Sequence, residues 1–219
     1  GQVTFDQEHL SGWGFASALD SGKVVLDAYD FEQPAADLEK TTDVQETCQV
    51  AKAVERYDFP ARSDNPQRIK YFTKVQAQRL ESGRSQYQGV TNALHLAVGV
   101  NMRIKDFPRS DQNNCDFCVT EVTTEIVSGE LEFTSGNASD FKTHFVAVKA
   151  DVAYRAPMTV IKPVVLGPHS AVVVGKQGED IWTDKYGRVK VQFFWDREGK
   201  KDENSSCWIR VSQAWAGEG

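Results

Sequence analysis

Apolar and polar residues alternate with a period near two along most of this chain, and switch to a helical period once. Lys23–Phe31 reads as a strand, entered from a Ser21-Gly22 turn and ended before Pro34, which cannot donate to a ladder. Cys48–Tyr57 has strand character, though its Ala, Lys and Glu leave a helix open; Asp58-Phe59-Pro60 stops it either way. The helical stretch follows. Asp64-Asn65-Pro66 supplies a cap and a first-turn proline, Ile69, Phe72, Val75 or Gln76, and Leu80 recur at helical spacing, and Gly83 closes the run. Lys70, Lys74, Gln78 and Arg79 make its other face polar, so the spacing predicts a surface helix near 66–83 packed on a β core.

From Tyr87 onward the pattern is β. Leu94–Val98 reads as a strand meeting a Gly99 turn, Met102 alternates with Ile104, and Phe117–Val127 and Phe141–Val148 are two further strands. Ser128–Asp140, with Gly129 and Gly136, reads as the loop or hairpin tip between them. Pro157, Pro163 and Pro168 then make Ala156–Pro168 an extended connector, with a domain boundary at 165/166. Beyond it, Ser170–Gly175 is followed by a turn at Gln177-Gly178-Glu179 and another at Tyr186-Gly187. Arg188–Trp195 places Val189, Val191, Phe193 and Trp195 on one face, opposite Arg188, Lys190 and Gln192. A charged loop, Asp196–Asn204, leads to a last strand at Cys207–Val211. The fold class is therefore mainly β with one prominent helix, divided as 1–165 and 166–219.

Composition narrows the function. With 219 residues, 40% of them hydrophobic, the chain can bury a core. A net charge of -6 speaks against nucleic-acid binding through overall positive charge. No apolar run approaches the roughly 20 residues of a membrane-spanning helix. The chain opens at Gly1 without an initiator Met or an apolar signal core, and reads as trimmed and incomplete.

Candidate chemistry is sparse. Cys115 and Cys118 form a CxxC, but Cys48 and Cys207 and the four histidines (His9, His95, His144, His169) stand too far apart in sequence to complete a zinc spacing. A redox pair would sit where a strand enters a helix, whereas Val119–Thr124 continues as strand, so ordinary strand or turn cysteines are the plainer account. His144, in a strand, reads as a packed or edge residue. There is no nucleophile elbow, HExxH, P-loop or GxGxxG. Asp196, Glu198, Asp202 and Glu203 interleave with Arg197, Lys200 and Lys201, as in a solvated loop. Asn137-Ala138-Ser139 and Asn204-Ser205-Ser206 match the glycosylation pattern, with no other sign of a secretory route. Catalytic, cofactor and metal residues are each expected to be none. The basic and aromatic residues of Arg188–Trp195 leave one rival, a small barrel binding nucleic acid or glycan, against which the core-like placing of Phe193 and Trp195 counts.

One resemblance is specific. Gly167–Gly217 is similar to the VgrG family, spike components of the bacterial type VI secretion system also called Rhs-element Vgr proteins. The runs that carry it are Thr183–Val191, Trp195–Lys200 and Ser205–Val211. Asp27–Pro34, Tyr57–Pro60 with the helix after it, Val119–Val122 and Tyr154–Pro157 extend it upstream. Three features depart from it: Phe193-Phe194-Trp195 lacks the family's central histidine, Ala214 stands where proline is frequent, and Cys115 and Cys118 are not family features.

The resemblance implies a hub and spike related to contractile-phage tails. Residues 1–165 would be the second hub β-barrel with its inserted helix, and 166–219 the opening strands of an OB-fold barrel. It implies a homotrimer that caps a tube of Hcp hexamers, meets baseplate components, and carries effectors and a PAAR tip through downstream parts. It further implies assembly in the cytoplasm, export to the exterior or a target cell, and membrane contact only during puncture. No enzyme activity, cofactor or nucleic-acid partner is implied. Closing a trimeric ring would cover strand edges that otherwise aggregate.

Overall fold

A computed structural model describes residues 8–45, 48–127 and 140–212. In chain order the elements are β1 (Leu10–Ser17), β2 (Lys23–Leu26), β3 (Lys40–Asp43), α1 (Gln49–Lys52), β4 (Glu55–Asp58), α2 (Pro66–Arg84), β5 (Ser85–Thr91), β6 (Asn101–Arg103), β7 (Asp116–Val127), β8 (Asp140–Lys149), β9 (Ala171–Val174) and β10 (Lys190–Phe193). They form two compact units, Gly1–Thr159 and Val160–Gly219. The fold is mainly β with one main helix.

The first unit is built on a five-stranded antiparallel sheet ordered β1-β5-β8-β7-β6, curled into a half-barrel. Register shifts at Leu10/Gly12 and at Val119/Glu121 bend β1 and β7 where the sheet curls, as bulges do. The concave face is aromatic. Trp13 stacks on Tyr87 with centroids 5.5 Å apart and meets Phe117 edge-on at 5.2 Å, while Tyr87 meets Phe117 at 4.7 Å. Phe145, Val119, Ala147 and Ile104 complete this core. Trp13 Nε1 donates to Oε1 of the buried Gln112 at 2.7 Å, so its one polar atom is satisfied.

A second, three-stranded sheet ordered β3-β2-β4 carries α2. Its central strand β2 buries Val24, Val25 and Leu26, as a strand covered on both faces requires. Asn65 caps α2, its Oδ1 accepting from the amides of Gln67 at 2.9 Å and Arg68 at 3.3 Å, with Pro66 in the first turn. The buried stripe is Ile69, Thr73, Ala77 and Leu80. Phe72, Val75 and Gln76, expected in or beside it, lie half-buried at its margin. The small Thr73 and Ala77 let the helix approach the sheet, and Thr73 Oγ1 donates to the Ile69 carbonyl at 2.7 Å.

Several expectations are corrected. β1 was not foreseen, because Gly12 and Gly14 interrupt its alternation. Lys23–Phe31 is a strand only to Leu26; Asp27 and Asp30 then accept the amides of Ala28 and Glu32, and these local bonds compete with the ladder. Cys48–Tyr57 divides into α1 and β4, where Gly22 donates its amide to the carbonyls of Ala51 and Val54. A Cβ at Gly22 would overlap the Ala51 carbonyl. Gly83 does not end α2, which runs through Arg84 straight into β5. Leu94–Val98 is not a strand: Thr91 Oγ1 accepts the Ala93 amide at 3.1 Å and turns the chain, leaving Leu94 and Val98 exposed. The expected turns do form, with positive φ at Gly99, Gly178 and Gly187. Ser128–Ser139 lies outside the described residues.

In the second unit β9 and β10 pair antiparallel, Ala171 opposite Phe193 and Val174 opposite Lys190. Arg188–Trp195 is therefore a strand only over 190–193, and Cys207–Val211 contributes a single bridge, Val189 to Ile209. The two expected faces of this run also change. Gln192 is buried, whereas Trp195 is 64% exposed. The cause is the charged loop: Gln192 Nε2 donates to the Asp196 carbonyl at 3.2 Å and its Oε1 accepts the Lys201 amide at 3.4 Å, so the loop folds over Gln192 and Trp195 lies beyond the strand end.

Candidate interaction surfaces

The residues singled out for chemistry do not converge. Among the described residues no group of three or more His, Cys, Asp or Glu is placed to hold a metal ion. His95 Nδ1 lies 3.0 Å from Glu8 Oε1, His9 donates its amide to Asn92, and His144 stands exposed on β8 opposite Thr123 and Val90. His169 Nδ1 accepts from Trp195 Nε1 at 3.1 Å. All four thiols are free; Cys118 lies in β7, and Cys115 Sγ donates to the Asp111 carbonyl at 3.4 Å.

The acidic groups serve loop geometry. Asp196 Oδ1 accepts the amides of Glu198 at 2.9 Å and Gly199 at 3.1 Å, and these two bonds hold its carboxyl below the usual range. Asp202 accepts the Asn204 amide in the same way. Asp184 accepts from the amides of Tyr186 and Arg188 and pairs with Arg188 Nε at 2.5 Å. Desolvation pushes this carboxyl up, but the Arg188 amide and guanidinium and the Tyr186 amide together outweigh it, and the net shift is downward. Asp116 and Asp111 are lowered by bidentate bonds from Arg103 and Arg109. These carboxylates are structural partners of cations and amides.

What the molecule presents is surface for contact. On the half-barrel, Gly12 and Gly14 of β1, Gln88 of β5, His144 of β8 and Glu121 and Thr123 of β7 line a shallow depression. With Trp13, Val90, Phe145 and Val146 also in its lining, the patch mixes polar and apolar groups. Elsewhere in the first unit, aromatics stand exposed at Tyr29, Phe31, Tyr57, Phe59 and Tyr71. The second unit exposes more apolar surface for its size: Val160, Ile161, Val164, Val165 and Leu166, then Val172 and Val173 of β9, then Phe194 and Trp195. Trp195 also stacks on Phe193, with centroids 5.0 Å apart and planes 14° apart. Trp182 and Trp208 pack at 4.7 Å with Lys190 Nζ over both rings. Residues 156–168, expected as an extended connector, belong to no strand and carry the exposed valines and isoleucine between prolines.

The phage tail baseplate hub (GPD) family pattern matches residues 1–130. The chain is 38% identical over 217 residues to the type VI secretion system spike protein VgrG1b of Pseudomonas aeruginosa, covering 97% of this chain and 28% of that protein. It is 38% identical over 216 residues to VgrG1a of the same organism, covering 97% of this chain and 33% of that protein. With the spike protein VgrG3 of Vibrio cholerae it shares 32% over 195 residues, 88% of this chain and 19% of that one. The chain thus spans a third or less of the length of these relatives. A solved tail protein from Neisseria meningitidis MC58 aligns with a TM-score of 0.46 at 11% identity, over 69% of this chain and 43% of that chain.

Proposed function

Because this chain belongs to the phage tail baseplate hub family, we propose that it forms part of the hub and spike of a type VI secretion puncturing device. The observation that carries this reading is the 38% identity to spike proteins, sustained across 97% of the chain. Three copies assemble into a ring that caps the Hcp tube, meets the baseplate, and carries effectors and a PAAR tip outward through further parts. Residues 1–165 act as the second hub barrel and 166–219 as the opening of an OB-fold barrel. The protein is assembled in the cytoplasm, is then exported, and touches the target membrane only during puncture. Its work is mechanical: sheath contraction supplies the force, and hydrogen-bonded β structure transmits it. Exposed apolar and aromatic side chains support the reading, since surfaces of this kind mark contacts between proteins.

The test is sedimentation equilibrium of the full-length protein, followed by co-sedimentation with Hcp tubes. A trimer that pellets with Hcp supports the reading; a monomer at micromolar concentration overturns it. Trp195, exposed and stacked on the half-buried Phe193, favours a second reading of the small unit, as a binder of glycan or single-stranded nucleic acid. Titration with each, against Trp195→Ala, separates the two: the hub reading expects no saturable binding.

A further inference from the structure

Residues 154–157 carry part of the family resemblance, yet they enter no strand and close no core. What they touch is α2. The chain leaves β8 at Lys149 and turns, the Val152 amide donating to the Lys149 carbonyl at 3.1 Å. It then runs beside the helix. Arg79 Nε donates to the Ala156 carbonyl at 3.0 Å, and Arg155 Nε donates to Gln78 Oε1 at 2.9 Å. The Arg155 amide reaches Oγ of the buried Ser82 at 3.4 Å, and that hydroxyl donates in turn to the Arg79 carbonyl at 3.1 Å. Past Pro157, Met158 Sδ accepts from Arg62 Nη2.

Gln78, Arg79 and Ser82 stand three and four residues apart, on one side of α2, next to the stripe that Thr73, Ala77 and Leu80 bury. By composition Gln78 and Arg79 belong to a solvated face; in the fold both are half-buried and hold a second segment. Arg155, Ala156 and Pro157 are themselves exposed, so directed bonds rather than buried area keep them in place. The helix they are tied to is well anchored. It packs on β2 and β3, and at Arg84 it continues without a break into β5, which pairs with β1 on one side and β8 on the other. Without these ties the chain would leave the first unit at the end of β8, where a pull meets the last ladder bonds one at a time.

We propose that residues 154–158 are a strap that fastens the chain leaving β8 to α2, so that a load on everything C-terminal to it enters the first unit through α2 and β5 and does not peel β8 from its end. The strap stands on the contacts alone. Its load-bearing role rests on the mechanical reading above.

Limited trypsin digestion of the full-length protein tests the strap. The Arg155–Ala156 bond has the sequence trypsin cuts, but the protease must draw the segment off α2 first, so the rate follows the fraction of time the strap is open. Arg79→Ala removes one tie and Gln78→Ala another, each leaving a good helix former, and Lys74→Ala on the exposed side of the same helix is the control. Each of the first two should speed release of the fragment ending at Arg155 by about tenfold, with Lys74→Ala at the parent rate. Cleavage after Lys142, inside β8, reports opening of the sheet and should not change. Equal rates at Arg155 in all four proteins, or a parallel rise at Lys142, overturn the strap. The load is read in secreting cells that carry Gln78→Ala with Arg79→Ala: export should fall severalfold, while trimer mass and co-sedimentation with Hcp tubes stay at the parent values. Unchanged export with an open strap overturns the load-bearing role. A parent protein that is monomeric overturns the mechanical reading and leaves the strap standing.

Discussion

Gly89 of β5 lies against the ring of Phe145 on the neighbouring strand, so close that a Cβ at Gly89 would overlap the ring carbons. The phenyl group occupies the space a side chain would take, which lets it settle beneath Trp13 with centroids 6.0 Å apart. Gly89→Ala improves strand propensity by roughly 0.5–1 kcal/mol, but the overlap is overpacking, at about 1–3 kcal/mol. The second effect wins. The variant is expected to unfold at lower urea, and Phe145→Leu in the same chain to return part of the loss. Equal midpoints for Gly89→Ala and the parent chain would sink this account.

Gly83 gives the opposite sign. It lies in the last turn of α2, exposed, and a Cβ there meets nothing within 4 Å. Gly83→Ala should therefore raise stability by about 0.5–1 kcal/mol through helix propensity alone. Urea midpoints measured beside those of Gly89→Ala check it, and a loss of stability would show an unrecognised contact.

At the other end of the same helix, Asn65 Oδ1 satisfies two first-turn amides. Asn65→Ala is expected to destabilise by about 1 kcal/mol, whereas Asn65→Asp keeps the acceptor and should stay near the parent. The informative comparison is between the two variants, since loss with both would mean that the carboxamide N–H₂ matters instead.

The helix and the long strands were legible because their causes are local. Asn65-Pro66 announces a helix start, and the Val- and Thr-rich alternation of β7 and β8 continues long enough to be seen. β1 escaped because Gly12 and Gly14 break the alternation, and it is held instead by antiparallel pairing with β5, a distant segment. The faces of Arg188–Trp195 were misread for a similar reason. A loop that follows the strand buries Gln192 and leaves Trp195 out, and no periodicity within the strand records that. Which valines stay exposed, as Val160, Val164, Val172 and Val173 do, depends on what distant segments cover them, and local alternation does not record that.

The Asp184–Arg188 pair makes a pH prediction. The carboxyl is lowered in the folded chain, the bonds from Arg188 and Tyr186 outweighing desolvation. A carboxyl lowered on folding contributes stability that is present above its unfolded value, near pH 4, and lost as pH falls through the lower folded value, because the unfolded chain binds the proton first. Asp184→Asn keeps one acceptor oxygen but cannot ionise. Relative to the parent it should be less stable at neutral pH, with the difference shrinking as pH falls below about 4. Asp111, Asp116 and Asp196 are lowered as well and give both proteins a common acid sensitivity, which cancels in the difference. Urea midpoints of both proteins from about pH 2 to pH 7 give that difference directly. A gap that does not change with pH would show that Asp184 acts through hydrogen-bond geometry alone and that its charge contributes nothing.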